Sequence, residues 1–236
     1  MTYCVGMVLD EGMIMAADTR TNAGIDQIAT FPKLFTFANG GERVVMLATS
    51  GNLATSQRVI NLLKQQIARQ EEHTLYTCDS MFDIAELVGT CLTTTEKHYR
   101  DENPVGGVNF SSNLLVGGQL KGQPPELYHI YPEGNFICTS RDTPFFQIGE
   151  SKYGKPILDR IITMETPLNQ AMKCALISYD STMHSNLSVG MPIDMVIYKL
   201  DSMTVKMERL EPNDPYFTKL ARAWGGGLRS LFEQLP

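Results

Sequence analysis

Two apolar runs face each other across one tight turn at the start of the chain. Tyr3, Val5, Met7, Val8 and Leu9 precede Asp10-Glu11-Gly12, and Met13-Ile14-Met15-Ala16-Ala17 follow it. The acidic pair with glycine signals a hairpin. A strand with one solvated face alternates apolar and polar residues, whereas a near-continuous apolar run needs cover on both faces. The fold must therefore place this hairpin between two other layers.

The rest of the chain supplies candidates for those layers. Segments 30–37 and 43–48 read as strands around Asn39-Gly40-Gly41. From 53 to 68 the period changes, and Val59, Ile60, Leu63 and Ile67 share one helical face. A second helix is predicted over 81–98, with Ile84, Leu87, Val88 and Leu92 in register. Two consecutive helices predict an antiparallel pair lying on a sheet. Strand character returns at 109–120, 126–131 and 135–139, with Pro132-Glu133-Gly134 as a turn. Segments 149–162 and 167–184 read as helices, and 194–200 with 205–210 as a last hairpin. An amphipathic tail over 217–235 is interrupted by Gly225-Gly226-Gly227. Strands, two helices, strands, two helices, strands: this order predicts an α+β fold. The economical form is a four-layer αββα sandwich of two antiparallel sheets, each covered by a helix pair. One domain is expected over residues 1–236, since no low-complexity linker or solenoid repeat divides them.

Composition narrows the function. A net charge of −6 offers no basic field for nucleic acid or an anionic membrane. No apolar run approaches the roughly 20 residues that span a bilayer. The start lacks the basic and apolar regions of a signal peptide. Cys4, Cys78, Cys91, Cys138 and Cys174 are odd in number and scattered, and His73, His98, His129 and His184 complete no zinc spacing. Reduced thiols in a cytoplasmic protein without metal or cofactor are expected.

Thr2 stands directly behind Met1. Initiator methionine is commonly trimmed before a small residue, which would leave Thr2 first in the chain. Its hydroxyl would then sit on the same residue as an α-amine with an unperturbed pKa of about 7.7–8. Threonine activated by its own terminal amine is an established nucleophile. On its own, the position is that of any residue after a start codon. The following fifty residues give it context.

The stretch TYCVGMVLDEGMIMAADTRTNAGIDQIATFPKLFTF resembles the N-terminus of a proteasome-type β subunit, an N-terminal nucleophile (Ntn) hydrolase. The signature is Ala16-Ala17-Asp18-Thr19-Arg20, followed by Lys33, and Met46 to Gly51 resembles the segment ending in the oxyanion glycine. Within that superfamily TRTNAGIDQIATFPKLF, IGESKYGKPILDR and SNLSVGMPIDMVIY are most similar to the bacterial Anbu group, the proposed ancestral β subunit. As in that group, no propeptide is expected ahead of the threonine.

The resemblance implies roles. Thr2 Oγ would attack an amide carbonyl, and its amine would accept the proton and return it to the leaving amine. Lys33 would keep that amine neutral by like-charge repulsion and stabilise charge developing on Oγ. Asp18 would hold the Lys33 ammonium. Taken alone, Asp18 and Lys33 would read as a solvated surface pair. Gly51, ahead of a helix, would offer its N–H to the oxyanion. Arg20 would bridge carbonyls or carboxylates beneath the site. A serine after a glycine should fall in Gly149-Glu150-Ser151-Lys152, with Ser151 the best match and Glu150 competing. An Asp-x-x-Ser-Gly run should fall in 181–190, but here Ser188 follows a position, Ser185, that lacks the usual aspartate. A substrate strand would lie between Thr21-Asn22 and Ser50-Gly51, with Thr49, Leu53 and Phe31 lining a neutral, fairly apolar first pocket.

The implied function is a threonine-type peptidase inside a self-compartmentalised homo-oligomer, ring or helix, with no ATPase or accessory partner legible. Leu62 and Met81 are candidate apolar residues for the contacts between copies. One alternative is an Ntn amidohydrolase or transferase acting on a small-molecule or modified-peptide amide. Another is a non-catalytic ring scaffold, which would need neither Thr2, Asp18 nor Lys33.

Overall fold

The computed structural model describes residues 2–22, 28–102 and 107–236. The elements run β1 (Tyr3–Leu9), β2 (Gly12–Asp18), β3 (Arg20–Asn22), β4 (Ile28–Thr30), β5 (Leu34–Asn39) and β6 (Arg43–Gly51). Helices α1 (Leu53–Ala68) and α2 (Met81–Glu102) follow, then β7 (Ser112–Leu120), β8 (Glu126–Ile130), β9 (Phe136–Cys138) and β10 (Phe145–Gly149). The chain ends with α3 (Lys155–Ile161), α4 (Leu168–Ser185), β11 (Ile193–Lys199), β12 (Met207–Leu210) and α5 (Pro215–Gln234).

Two five-stranded sheets form, in the orders β10-β1-β2-β11-β12 and β5-β6-β7-β8-β9, and β3-β4 is a separate ribbon. Every pairing is antiparallel. Each residue of β1 and β2 is buried, as their composition requires. Their side chains alternate between two cores. Val5, Met7 and Ile14 meet Leu158, Ala175 and Tyr179 of the α3–α4 layer. Cys4, Met13 and Met15 meet Met46, Leu115 and Leu127 across the gap between the sheets. On the far side, Val59 and Leu63 of α1 and Ile84 and Val88 of α2 pack on Val45, Leu47, Leu114 and Val116. The result is the expected four-layer αββα sandwich.

Four expectations need correction. The strand predicted over 30–37 is broken at residues 31–33, between β4 and β5. Pro32 has no N–H to give to a ladder, and the Lys33 side chain is taken up by Asp18. The helix predicted over 149–162 begins too early. Gly149 instead closes β10 in a left-handed conformation (φ +82), and the helix starts only at Lys155 with Pro156 in its first turn. The three glycines of the tail do not interrupt it: α5 is continuous from its Asp214 cap, whose carboxylate accepts the Phe217 N–H at 2.7 Å. Glycine lowers helix stability by about 0.5–1 kcal/mol per residue but does not forbid the helix. Met81 is fully buried in the helix-covered core, so it is no surface contact.

Gly89 lets α2 rest directly on the Pro132-Glu133-Gly134 turn, because a β-carbon there would collide with the carbonyl oxygen of Gly134. Helix propensity alone would make Gly89→Ala stabilising by nearly 1 kcal/mol. Backbone contact reverses the sign, and we expect a loss of about 1–3 kcal/mol. Thermal denaturation checks this: the midpoint should fall by several degrees, at roughly 2–4 °C per kcal/mol for a chain of this size. A midpoint equal to or above wild type would contradict the packing.

Candidate active site

Thr2 directly precedes β1 and is held there by its backbone. Its carbonyl accepts the Glu150 N–H at 2.7 Å, and Tyr3 pairs with Gly149 across β1–β10. Met1, expected to be removed, lies outside the described residues. Thr2 lines a cleft of about 360 Å³ together with Thr21, Lys33, Thr49, Ser50, Gly51, Leu53, Ser56, Asn113 and Gly149.

Lys33 and Asp18 form a buried ion pair beneath this cleft. Lys33 Nζ donates to Asp18 Oδ1 at 2.8 Å and to the Arg20 carbonyl at 2.6 Å. An ammonium has three N–H donors, and the third has no partner among the described residues. Asp18 is fully buried, and it also accepts the Tyr3 N–H at 3.0 Å on Oδ1 and the Gly190 N–H at 3.3 Å on Oδ2. Burial pushes the Asp18 carboxyl above its ordinary value. The Lys33 ammonium and the two backbone donors pull against that shift. Arg20 lies beside this pair. Its Nη1 donates to the Leu187 carbonyl at 3.1 Å, and its guanidinium fills the space where a side chain on Gly190 would go.

Gly51 ends β6 with φ +103, where a β-carbon would collide with the Ser111 carbonyl oxygen. Asn52 then caps α1, its Oδ1 accepting the Thr55 N–H at 3.1 Å. The positive end of that helix therefore faces the cleft side of Gly51. Thr49 is buried, and Leu53 is the largest apolar side chain among the lining residues. Besides Leu53, Lys33 and the glycines, the lining is hydroxyl and amide, more polar than expected. Phe31 is partly buried, its N–H bonded to the Thr19 carbonyl at 2.9 Å, and it is not among the lining residues. The backbone of Asn22 pairs with Ile28 in the β3–β4 ribbon, and its side chain lies outside the described residues. The Thr21 hydroxyl is buried without a partner among the described residues.

The remaining expected residues divide. Ser151 lies beyond the cleft at the turn into α3, where it borders a separate depression with Lys155 and Asp159. Ser188 is partly buried, and its N–H donates to Asn186 Oδ1 at 2.9 Å. Glu150 is the residue that touches the Thr2 backbone. Its buried carboxylate accepts Asn186 Nδ2 at 2.9 Å on Oε2 and the Lys152 N–H at 3.2 Å on Oε1. Asn186, the C-cap of α4, thus joins Glu150 to Ser188. The sequence offered a signal for Glu150, since it follows Gly149, but none for Asn186. Asn113 was also not foreseen. It pairs with Ser50 across β6–β7, and its Oδ1 meets His129 Nε2 at 3.0 Å. Burial pushes the His129 imidazole below its ordinary value. Among the described residues, no cluster of three or more His, Cys, Asp or Glu side chains could hold a metal. No described helix is long and apolar enough to cross a membrane.

Fold and cleft together define an Ntn-type proteasome architecture, and comparison with known proteins agrees. The proteasome subunit family model matches residues 2–198, so the chain belongs to that family. Solved structures place it further, in the Anbu group. Anbu from Yersinia bercovieri superposes with a TM-score of 0.93 at 49% identity, covering 100% of this chain and 98% of that one. The helical assembly of the Anbu complex from Pseudomonas aeruginosa gives a TM-score of 0.94 at 51% identity, covering 100% of this chain and 97% of that one. A curated proteasome subunit beta of Methanopyrus kandleri is 27% identical over 138 residues, and the match spans 58% of this chain and 59% of that protein.

The ion pair makes a signed prediction. Lys33→Met strips Asp18 of its ammonium and should cost about 3–5 kcal/mol at neutral pH. The Asp18 carboxyl then rises further above the unfolded value of about 3.9. The folded state holds a proton that the unfolded state has released, so stability is retained below about pH 4 and lost as pH rises through the folded value. In urea titrations, the gap between wild type and Lys33→Met should widen from pH 4 to pH 8. Adding Asp18→Asn should narrow it. A gap independent of pH would show that Asp18 does not carry the buried charge.

Proposed function

We propose that this chain is a threonine-type N-terminal nucleophile hydrolase that cleaves peptide bonds within an assembly of its own copies. The observation that carries the reading is the buried Lys33–Asp18 pair beside Thr2 in the cleft, with one ammonium N–H unpaired among the described residues. Removal of Met1 frees the Thr2 amine. Lys33 disfavours protonation of that amine, which leaves it competent to take the Oγ proton. The hydroxyl attacks the substrate carbonyl, the Gly51 N–H receives the oxyanion, and the amine returns the proton to the leaving nitrogen. Water then hydrolyses the ester on Thr2. The substrate adds as an extended strand beside Thr21 and the Ser50-Gly51 segment. Thr49 and Leu53 favour neutral side chains of modest size.

Two features support assembly. The Anbu complex of Pseudomonas aeruginosa, whose chain is 51% identical, forms a helical assembly. This chain also exposes Leu187, Leu228, Leu231 and Phe232. Repeated contacts of one kind close a ring or extend a helix, depending on the rotation between copies.

A second reading keeps the chemistry and changes the substrate to a small or modified amide. The departure at Ser185, where the resemblance implies an aspartate, favours it, and Glu150, whose N–H holds the Thr2 carbonyl, pairs its buried carboxylate with Asn186.

Turnover of fluorogenic peptides and of small acyl-amides separates these readings. Thr2→Ala should abolish turnover of either substrate while leaving the fold and the sedimentation profile unchanged. The profile itself should show species well above the 26.3 kDa chain. Equal turnover by Thr2→Ala would remove Thr2 from the reaction, and a monomer at micromolar concentration would defeat the compartment.

A further inference from the structure

Gly51 is fixed by a polar network, not by apolar packing. Its strand partner is Ser112, the first residue of β7. The adjoining Asn52 N–H donates to the Ser111 carbonyl at 3.0 Å. The Asn52 carbonyl accepts Ser56 Oγ at 2.9 Å and Ser112 Oγ at 3.1 Å. Thr55 Oγ1 reaches the Phe110 carbonyl at 2.8 Å, and Asn52 Nδ2 the Asn109 carbonyl at 2.9 Å. Apart from the Ser56–Asn52 bond at the start of α1, each of these bonds ends on residues 109–112. What anchors that stretch therefore also anchors Gly51.

The anchor comes from a different layer. Glu96 of α2 is only 2% exposed, and its Oε1 accepts the Ser112 N–H at 3.1 Å. Its Oε2 pairs with Arg100 Nη2 at 2.7 Å, and that guanidinium is largely exposed. A carboxylate is costly to bury in the middle of a helix. If α2 needed only to cover its sheet, an apolar residue would serve. Here the carboxylate ties the helix to the backbone directly opposite Gly51, with the Arg100 ion pair holding its second oxygen.

We propose that Glu96 is a positioning residue for the oxyanion-binding N–H of Gly51, acting through Ser112 and the 109–112 backbone. The proposal rests on the role given to Gly51 under the proposed function. An oxyanion donor works only when placed in advance, and a displacement of about 1 Å can cost on the order of a hundredfold in rate. Loss of the Glu96 acceptor frees Ser112 and lets Gly51 drift. The substrate keeps its contact along Thr21, whereas the oxyanion contact is made fully only in the transition state, so the larger loss falls on kcat.

Two variants test it in the full chain. Glu96→Leu removes the acceptor, and Glu96→Gln keeps an oxygen for Ser112 while losing the charge. With a fluorogenic peptide, Glu96→Leu should lower kcat about 10- to 100-fold while KM changes far less, and Glu96→Gln should recover most of it. Hydrogen exchange provides a readout that needs no activity. Glu96→Leu should accelerate exchange at residues 50–53 and 110–113, and Glu96→Gln should not. A wild-type protein without turnover would defeat the proposed function but leave the exchange result to judge the anchoring. Unchanged exchange at 50–53 in Glu96→Leu would overturn the proposal. So would a fall in activity that only tracks the folded fraction, with no separation of kcat from KM.

Discussion

The buried pair between Lys33 and Asp18 is the interaction on which the cleft depends. Charge in an apolar interior is tolerated only when paired and hydrogen-bonded. Asp18 collects the Lys33 ammonium and the N–H groups of Tyr3 and Gly190, and the ammonium also reaches the Arg20 carbonyl. These few bonds join the starts of β1 and β3, the end of β2, the break before β5 and the approach to β11. Among those segments, Tyr3 adjoins Thr2, and Thr21 and Lys33 line its cleft. A side chain at Gly190 would displace the Arg20 guanidinium, which ties down the Leu187 carbonyl. The same pair that would tune the Thr2 amine therefore also sets the geometry of its surroundings.

Much of this was legible in the sequence. The N-terminal hairpin declared itself by apolar runs too long for a one-faced sheet. Helix α1 matched its predicted limits because the period of its apolar residues, the Asn52 cap and Gly51 all agree. Thr2 and Lys33 line one cleft and Lys33 pairs with Asp18, the grouping that the resemblance implied. Two of the misreadings share a cause: local sequence competed with tertiary contacts. Residues 145–149 form a strand only because β1 needs a partner on its second edge. Pro32 and Lys33 leave the ladder because the Lys33 side chain is drawn to Asp18. The α5 glycines carry a cost in propensity that does not stop the helix. Asn186 could not be read at all, since its significance lies in meeting Glu150, 36 residues away in sequence.

Glu150 and Asn186 give the site a character of its own. Glu150 holds the Thr2 carbonyl through its backbone and keeps its carboxylate buried nearby, where Asn186 and the Lys152 N–H satisfy it. Asn186 passes the connection to the Ser188 backbone. The Thr2 backbone is thus fixed from the β10 side as firmly as Lys33 is fixed from the β2 side. Together with the amide of Asn113 and the hydroxyls of Thr21, Thr49 and Ser50, this makes a polar cleft with one substantial apolar side chain, Leu53.

The central claim is that Thr2, once its amine is free, is the nucleophile. A peptide epoxyketone reacts with both the hydroxyl and the amine of a terminal threonine, so it reports on both at once. Intact-mass measurement before and after treatment is the most direct test. The account predicts a chain lacking Met1 that gains one inhibitor mass, mapped by fragmentation to Thr2. A purified chain that retains Met1, or one that lacks it and gains no adduct, would contradict the account.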